Sequence, residues 1–237
     1  MIYSKSKGLL QHPVWGVHYK VRRLEGEMRK VIVVFANSVK HGKHCVAGKD
    51  VQTGRWIRPV GDTSGAELNH DQCLCVNPYG KYMVKPLQKV EIELTTHAPL
   101  ANQPENYLVS DAEWTQRYKI EAHDVVEYLD TPETLWGIGN SVAFSEIENG
   151  TVQIRQSLYL VKIDNLNLYK NTFGKRRAWF YYNGNNYDLP VTDPNFDSLL
   201  QNPQHQSILC VSLGEKFIPV PEGSNEYACY KIIATII

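Results

Sequence analysis

Apolar and polar positions alternate with a period of two along much of the chain after residue 28, and that period predicts strands. VIVVFANS (31–38) is a β-branched apolar run. KHCVAGKD (43–50) and RWIRPV (55–60) are joined by Val51-Gln52-Thr53-Gly54, a short connection ending in glycine that predicts a hairpin. Within KPLQKVEIELTTH (85–97) the KVEIEL part alternates strictly, as a half-buried strand does. VQIRQSLYLVKIDNLNLYK (152–170) resumes the alternation, and RAWFYYNGNNYDLPV (177–191) reads as a hairpin turning at Asn183-Gly184. SILCVSLG (207–214) and YACYKIIATII (227–237) complete the strands.

The pattern changes between 99 and 150, where Pro99, Pro104, Pro132 and the polar stretch NQPEN interrupt it. Here SDAEWTQRY (110–118) predicts a short helix, with Ser110 and Glu113 as a capping box. HDVVEYLD (123–130) predicts a second helix, and TPETLWG a further turn with Pro132 at its first position. TDPNFDSLL (192–200) predicts another, capped by Asp193. Residues 1–29 carry no periodic pattern and read either as an extension upstream of a start at Met28 or as an ordinary N-terminal strand or arm. The expected plan is mainly β: an extension (1–29), a first small barrel (30–98), a connector with short helices (99–150) and a second barrel (151–237). Segments of this size fit five-strand barrels of the OB type.

Composition sharpens this reading. At 237 residues and 43% hydrophobic, the chain can bury a core, and its 14 tyrosines lean toward strands. The formal net charge is zero, with 25 basic and 25 acidic residues, which argues against nonspecific coating of duplex DNA but leaves room for a local basic face. The 5 cysteines are odd in number and form no disulfide framework. With no long apolar run and no signal peptide, the expected setting is cytoplasmic, away from membranes.

Two constellations carry candidate chemistry. Lys40, His41, Lys43, His44, Lys49, Arg55, Trp56 and Arg58 form a basic stretch beside an aromatic. Strand alternation puts Trp56 and Arg58 on one face, the pairing that a base-stacking platform uses. The plainer alternative is a solvated hairpin with Trp56 in the core. Lys170, Lys175, Arg176 and Arg177 run into Trp179, Phe180, Tyr181, Tyr182 and Tyr187, with Arg177, Trp179 and Tyr181 sharing one face. Alternate aromatics on a hairpin also serve cross-strand packing.

Zinc ligation by His70, Cys73 and Cys75, or by His41, His44 and Cys45, lacks the paired two-residue spacing of structural sites, so buried free thiols are expected instead, and no metal or cofactor. No nucleophile elbow, phosphate loop or zinc-protease motif is present, so the chain reads as a binding module rather than an enzyme. The alternatives are a metal-dependent enzyme acting on nucleotides or nucleic acid through Glu105, Asp111 or Asp124, and a protein-interaction adaptor.

The phrases SVKHGKHCVAGKDVQTGRWIRPV (38–60), QPENYLV (103–109), YYNGNNYDLPVTDP (181–194), LCVSLGE (209–215) and the terminal YKIIATII together resemble the bacterial dual OB-containing domain family, accessory to prokaryotic conflict or defence systems. The resemblance implies two tandem OB barrels, a nucleic-acid-binding role and no established catalytic residue. A defence-system effector protein is a further implied partner. Ser38, Lys40, Cys45, Gly48, Trp56, Arg58, Pro59, Glu105, Asn106 and Asp193 match its motifs. The resulting expectation is binding of single-stranded or otherwise non-duplex nucleic acid, or of a nucleotide. Trp56 would stack, Lys40, Lys43, Arg55 and Arg58 would pair with phosphate, and Ser38, Glu105 and Asn106 would touch base edge or sugar. Arg177 and Trp179 would supply a second contact.

Overall fold

The computed structural model describes residues 28–40, 42–202, 206–218 and 226–237. The expected N-terminal extension falls almost entirely outside them, as does His41.

The first half contains β1 (Met28–Lys40), β2 (Lys43–Asp50), β3 (Trp56–Val60), β4 (Leu74–Asn77), β5 (Gly80–Met83), β6 (Gln88–His97), β7 (Asn106–Val109) and β8 (Trp114–Lys119). Five of these close a barrel in the order β1-β2-β3-β7-β6, with β6 returning to pair with β1. All neighbours are antiparallel except β3 and β7, which run parallel. β1 serves two partners, residues 28–33 pairing with β6 and residues 32–40 with β2, and it bends where its register against β2 shifts between Val34 and Ala36. Gly48 lies at this bend, where a Cβ would run into the Val33 carbonyl. The barrel interior holds Ile32, Val34, Val46, Ile57, Val90, Ile92 and Leu94.

After the short strand β9 (Ser141–Ala143) and helix α1 (Phe144–Glu148), the second half builds β10 (Leu158–Ile163), β11 (Asn167–Lys170), β12 (Arg176–Tyr182), β13 (Asn185–Pro190), helix α2 (Phe196–Gln201), β14 (Ser207–Phe217) and β15 (Ala228–Ile236). These form two sheets, β10-β14-β15-β9 and β11-β12-β13. The topology repeats that of the first half. β10 and β11 act as one first strand broken at residues 164–166, pairing with β14 on one side and β12 on the other. A parallel bridge from Val191 to Ile233 joins third strand to fifth, the counterpart of β3 with β7. The result is a closed barrel followed by a half-barrel around Phe180, Tyr187, Leu189, Val161 and Val211.

A third apolar cluster welds the halves. Val33, Phe35, Ala47 and Trp56, from the outer surface of the first barrel, pack with Leu158, Leu160, Cys210 and Ala234 of the second and with Ile120 and Val125 between them.

Several expected elements differ. Residues 110–118 form no helix; β8 begins at Trp114 and puts that ring in the first core. Ser110 Oγ accepts from the Ala112 N–H at 3.1 Å, so it shapes a local turn instead of a helix cap. The stretch expected as a connector therefore supplies β7, which closes the first barrel, and β8. The helix expected at 123–130 is a 3₁₀ helix, Ala122–Tyr128, with Glu121 and Asp124 as its capping box. TPETLWG is not helical, because Trp136 and Gly137 take φ of 54° and 87°. The turn at Asn183-Gly184 forms as expected, with φ of 45° and 84°. Asp193 accepts from the N–H groups of Asn195 and Ile236, both at 2.7 Å, so it ties the approach to α2 onto β15. No helix among the described residues is long and apolar enough to cross a membrane.

Candidate nucleic-acid interface

Nucleic acid binds OB barrels on the face of the second and third strands and on the flanking loops. In the first barrel that face is covered. Trp56 is 4% exposed, its indole N–H donates to Asp130 Oδ2 at 3.1 Å, and the Lys49 ammonium lies 5.2 Å from its ring centroid. Lys49 also donates to Asp130 Oδ1 and to the Tyr128 carbonyl, both at 2.7 Å. Arg58 is buried between Glu105 Oε1 (3.3 Å), Ser157 Oγ (2.8 Å) and Ser212 Oγ (3.1 Å). Glu105 takes in turn the Ser157 N–H at 3.0 Å and the Ser157 hydroxyl. The expected stacking by Trp56 and phosphate pairing by Arg58 are corrected by this geometry. Strand alternation points both side chains out of their own barrel, and the second half occupies the space they point into.

The other expected residues of this constellation do not gather around Trp56. Asn106 is fully buried and donates to Gln103 Oε1 at 3.2 Å, which removes it from contact with a base. Ser38 is half-buried and sits opposite Cys45 in the β1–β2 pair. Lys43 and Arg55 are exposed but lie far apart along the chain, Lys43 as the first residue of β2 and Arg55 past its last. Lys40 belongs to β1, and its side chain lies outside what the structure describes.

In the second half the equivalent face is open. β12 lies between β11 and β13, and its outward positions form cross-strand rows: Tyr169, Arg177 and Pro190; Asn167, Trp179 and Asp188; Tyr181 and Asn186. Their neighbours Leu168, Ala178, Phe180, Tyr187 and Leu189 fill the core, so period-two alternation alone puts the aromatic row outside. Trp179 is 43% exposed and Tyr181 56%. At the β11–β12 turn, Asn171 Oδ1 accepts from the N–H groups of Phe173 and Lys175, and the Phe173 ring stands 84% exposed.

Charges on this side are partly paired. Arg177 donates to Asp188 at 3.0 Å, and Tyr169 O–H donates to the same carboxylate at 2.7 Å, a bond that raises the Tyr169 pKa. Lys170 and Arg176 share Asp197. Lys175 has no carboxylate partner among the described residues.

The alternative carboxylates stand in unrelated settings: Glu105 between the barrels, Asp111 in an exposed turn, Asp124 in a capping box. No three His, Cys, Asp or Glu side chains gather as metal ligands among the described residues. Burial pushes the Cys73 and Cys210 thiols up to about 12, against thiolate formation.

The model of the dual OB-containing domain matches residues 30–236. The chain belongs to this family. Comparison with curated proteins and with solved structures returns no match. Within this dual OB protein the two barrels are unequal, one giving its strand face to its neighbour and the other leaving it open. Sequence reasoning missed Asp130, Ser157 and Ser212, which sit in no motif and meet their partners only through the tertiary fold. It also missed Tyr169 and Phe173, although alternation in NLNLYK and the turn before the basic run marked both positions.

Proposed function

We propose that this dual OB protein binds single-stranded nucleic acid on the outer face of β11, β12 and β13. The supporting observation is the exposed row of Trp179 and Tyr181 on the strand pair that OB barrels use, beside Lys175 and Arg177. Each ring offers a π-face to a base whatever its identity, and the cations track the backbone. A single strand suits this surface better than duplex, whose bases are already stacked. Following the family resemblance, we place the protein in the bacterial cytoplasm as an accessory of a conflict or defence system, alongside an effector protein.

Fluorescence anisotropy with labelled single-stranded DNA, single-stranded RNA and duplex DNA at two salt concentrations tests this reading. Single strands bind, affinity falls with salt, and duplex binds less tightly. Absence of binding to every probe by folded protein overturns it.

A second reading is favoured by one observation. The ion pairs of Arg177 with Asp188, and of Lys170 and Arg176 with Asp197, neutralise much of the basic cluster. An aromatic face with balanced charge also suits a protein partner. Salt-insensitive capture of a protein, without affinity for nucleic acid, identifies that case.

A further inference from the structure

A cleft of about 460 Å³ shares no lining residue with the β11–β13 rows. It is framed by the start of β1, the β2–β3 turn, the β6–β7 loop and the segment that leads into β10. Its volume falls in the range of about 300–1,000 Å³ typical of small-ligand sites, and it lies where two halves of the chain meet, a preferred position for them.

Its charges are unevenly compensated. Asp50 is held by Lys30 at 3.0 Å and by the Thr53 hydroxyl at 2.9 Å. Burial opposes the Asp50 charge, but those bonds, the Gln52 N–H and the Lys30 charge together keep its pKa below the ordinary value. Glu105 is held by Arg58 and Ser157 behind the wall. Both carboxylates thus face cations or donors of their own. Arg55 and Arg155 line the same cleft, exposed, and neither has a carboxylate partner among the described residues. A ring pair stands on another wall, where His97 and Tyr107 lie with centroids 4.7 Å apart at 36°. Two unpaired guanidiniums call for an anion with several acceptor oxygens, and phosphate fits their planar donor forks. The adjacent rings call for a flat aromatic group.

We propose that this cleft binds a nucleoside phosphate, either a free nucleotide or the phosphorylated end of a strand. The phosphate pairs with Arg55 and Arg155, and the base rests against the His97–Tyr107 pair. The site is separate from the β11–β13 surface and goes beyond strand binding there.

Isothermal titration of the full chain with AMP, GMP, CMP, UMP, adenosine and inorganic phosphate tests it. At least one nucleotide binds, and adenosine and phosphate each bind about tenfold or more weakly than it does. The double variant Arg55→Gln/Arg155→Gln loses about tenfold or more in nucleotide affinity while its melting temperature stays unchanged. No binding by any nucleotide, equal binding by adenosine or phosphate, or undiminished binding by the double variant overturns the proposal. Short oligonucleotides with and without a 5′-phosphate then separate the two sources. A preference for the phosphorylated end assigns the site to strand termini, and equal affinity assigns it to free nucleotide. Trp179→Ala reads strand binding on the second barrel, so the two sites stand or fall independently.

Discussion

The Arg58 guanidinium donates to Ser157 Oγ at 2.8 Å, a bond between residues 99 positions apart that fastens the first barrel to the second. The same guanidinium reaches Ser212 and Glu105, so one side chain joins three segments inside a closed interface. A residue of the type that pairs with phosphate elsewhere is here a fastener between domains.

Arg58→Ala leaves the Glu105 carboxylate buried without its cation. Removing one partner of a buried pair costs about 3–5 kcal/mol. Urea denaturation is expected to show a loss of that order. Arg58→Lys does not restore it, because an ammonium lacks the planar fork that reaches both serines and the carboxylate.

Trp56→Ala empties a large volume between the barrels, at a cost of about 3–5 kcal/mol. Trp56→Phe keeps most of the packing and loses the bond to Asp130. Among molecules that remain folded, neither change alters affinity for a single strand without a 5′-phosphate, measured by anisotropy below the melting transition. A large affinity loss in folded Trp56→Phe contradicts the closed face.

Outer-face variants behave in the opposite way. Trp179→Ala and Tyr181→Ala shift stability by no more than about 0.5 kcal/mol, as exposed positions do. Each weakens strand binding by about 1–3 kcal/mol, the worth of one stacked base. Lys175→Gln lowers affinity without regard to sequence and reduces the slope of log affinity against log salt by about 1.

How much of this was legible in the sequence depends on what a single strand can report. Alternation in RWIRPV put Trp56 and Arg58 on one face and Ile57 on the other; in the fold Ile57 points into the barrel and Trp56 and Arg58 out of it. It does not say whether outward means water or another domain, and for these two residues it means Leu158, Leu160 and Ser157. In RAWFYYNG the same alternation put Trp179 and Tyr181 on one face, and in the fold both rings on that face are exposed. Asn183-Gly184 was readable because a two-residue turn requires positive φ at both positions. SDAEWTQRY was misread because Ser-x-x-Glu imitates a capping box, while pairing with β6 and burial of Trp114 favour a strand. Asp130 left no local signal, since its partners Lys49 and Trp56 lie more than 70 residues away.

Lys231 provides a pH test. It is 0% exposed and donates to the carbonyls of Gly137, Ile138 and Gly139 at 2.8, 3.2 and 2.8 Å. Burial pulls its pKa from the ordinary 10.5 to about 8. Between those values the unfolded chain holds more protons at this position than the folded one, so stability contributed here rises with pH. The penalty for burying the ammonium is complete below about pH 8 and is relieved as pH approaches 10.5. The stability difference between wild type and Lys231→Met is therefore expected to shift toward wild type across that window. A difference that stays constant with pH contradicts this assignment.

The central claim is that the bases along a strand stack on the open face of the second barrel and not on Trp56 of the first. Photo-crosslinking of a halogenated-uridine single strand to the full chain, followed by peptide mapping, tests it most directly. Crosslinks at Trp179, Tyr181 or Phe173 are the predicted result. Crosslinks confined to the first barrel, with none in residues 167–190, would contradict it.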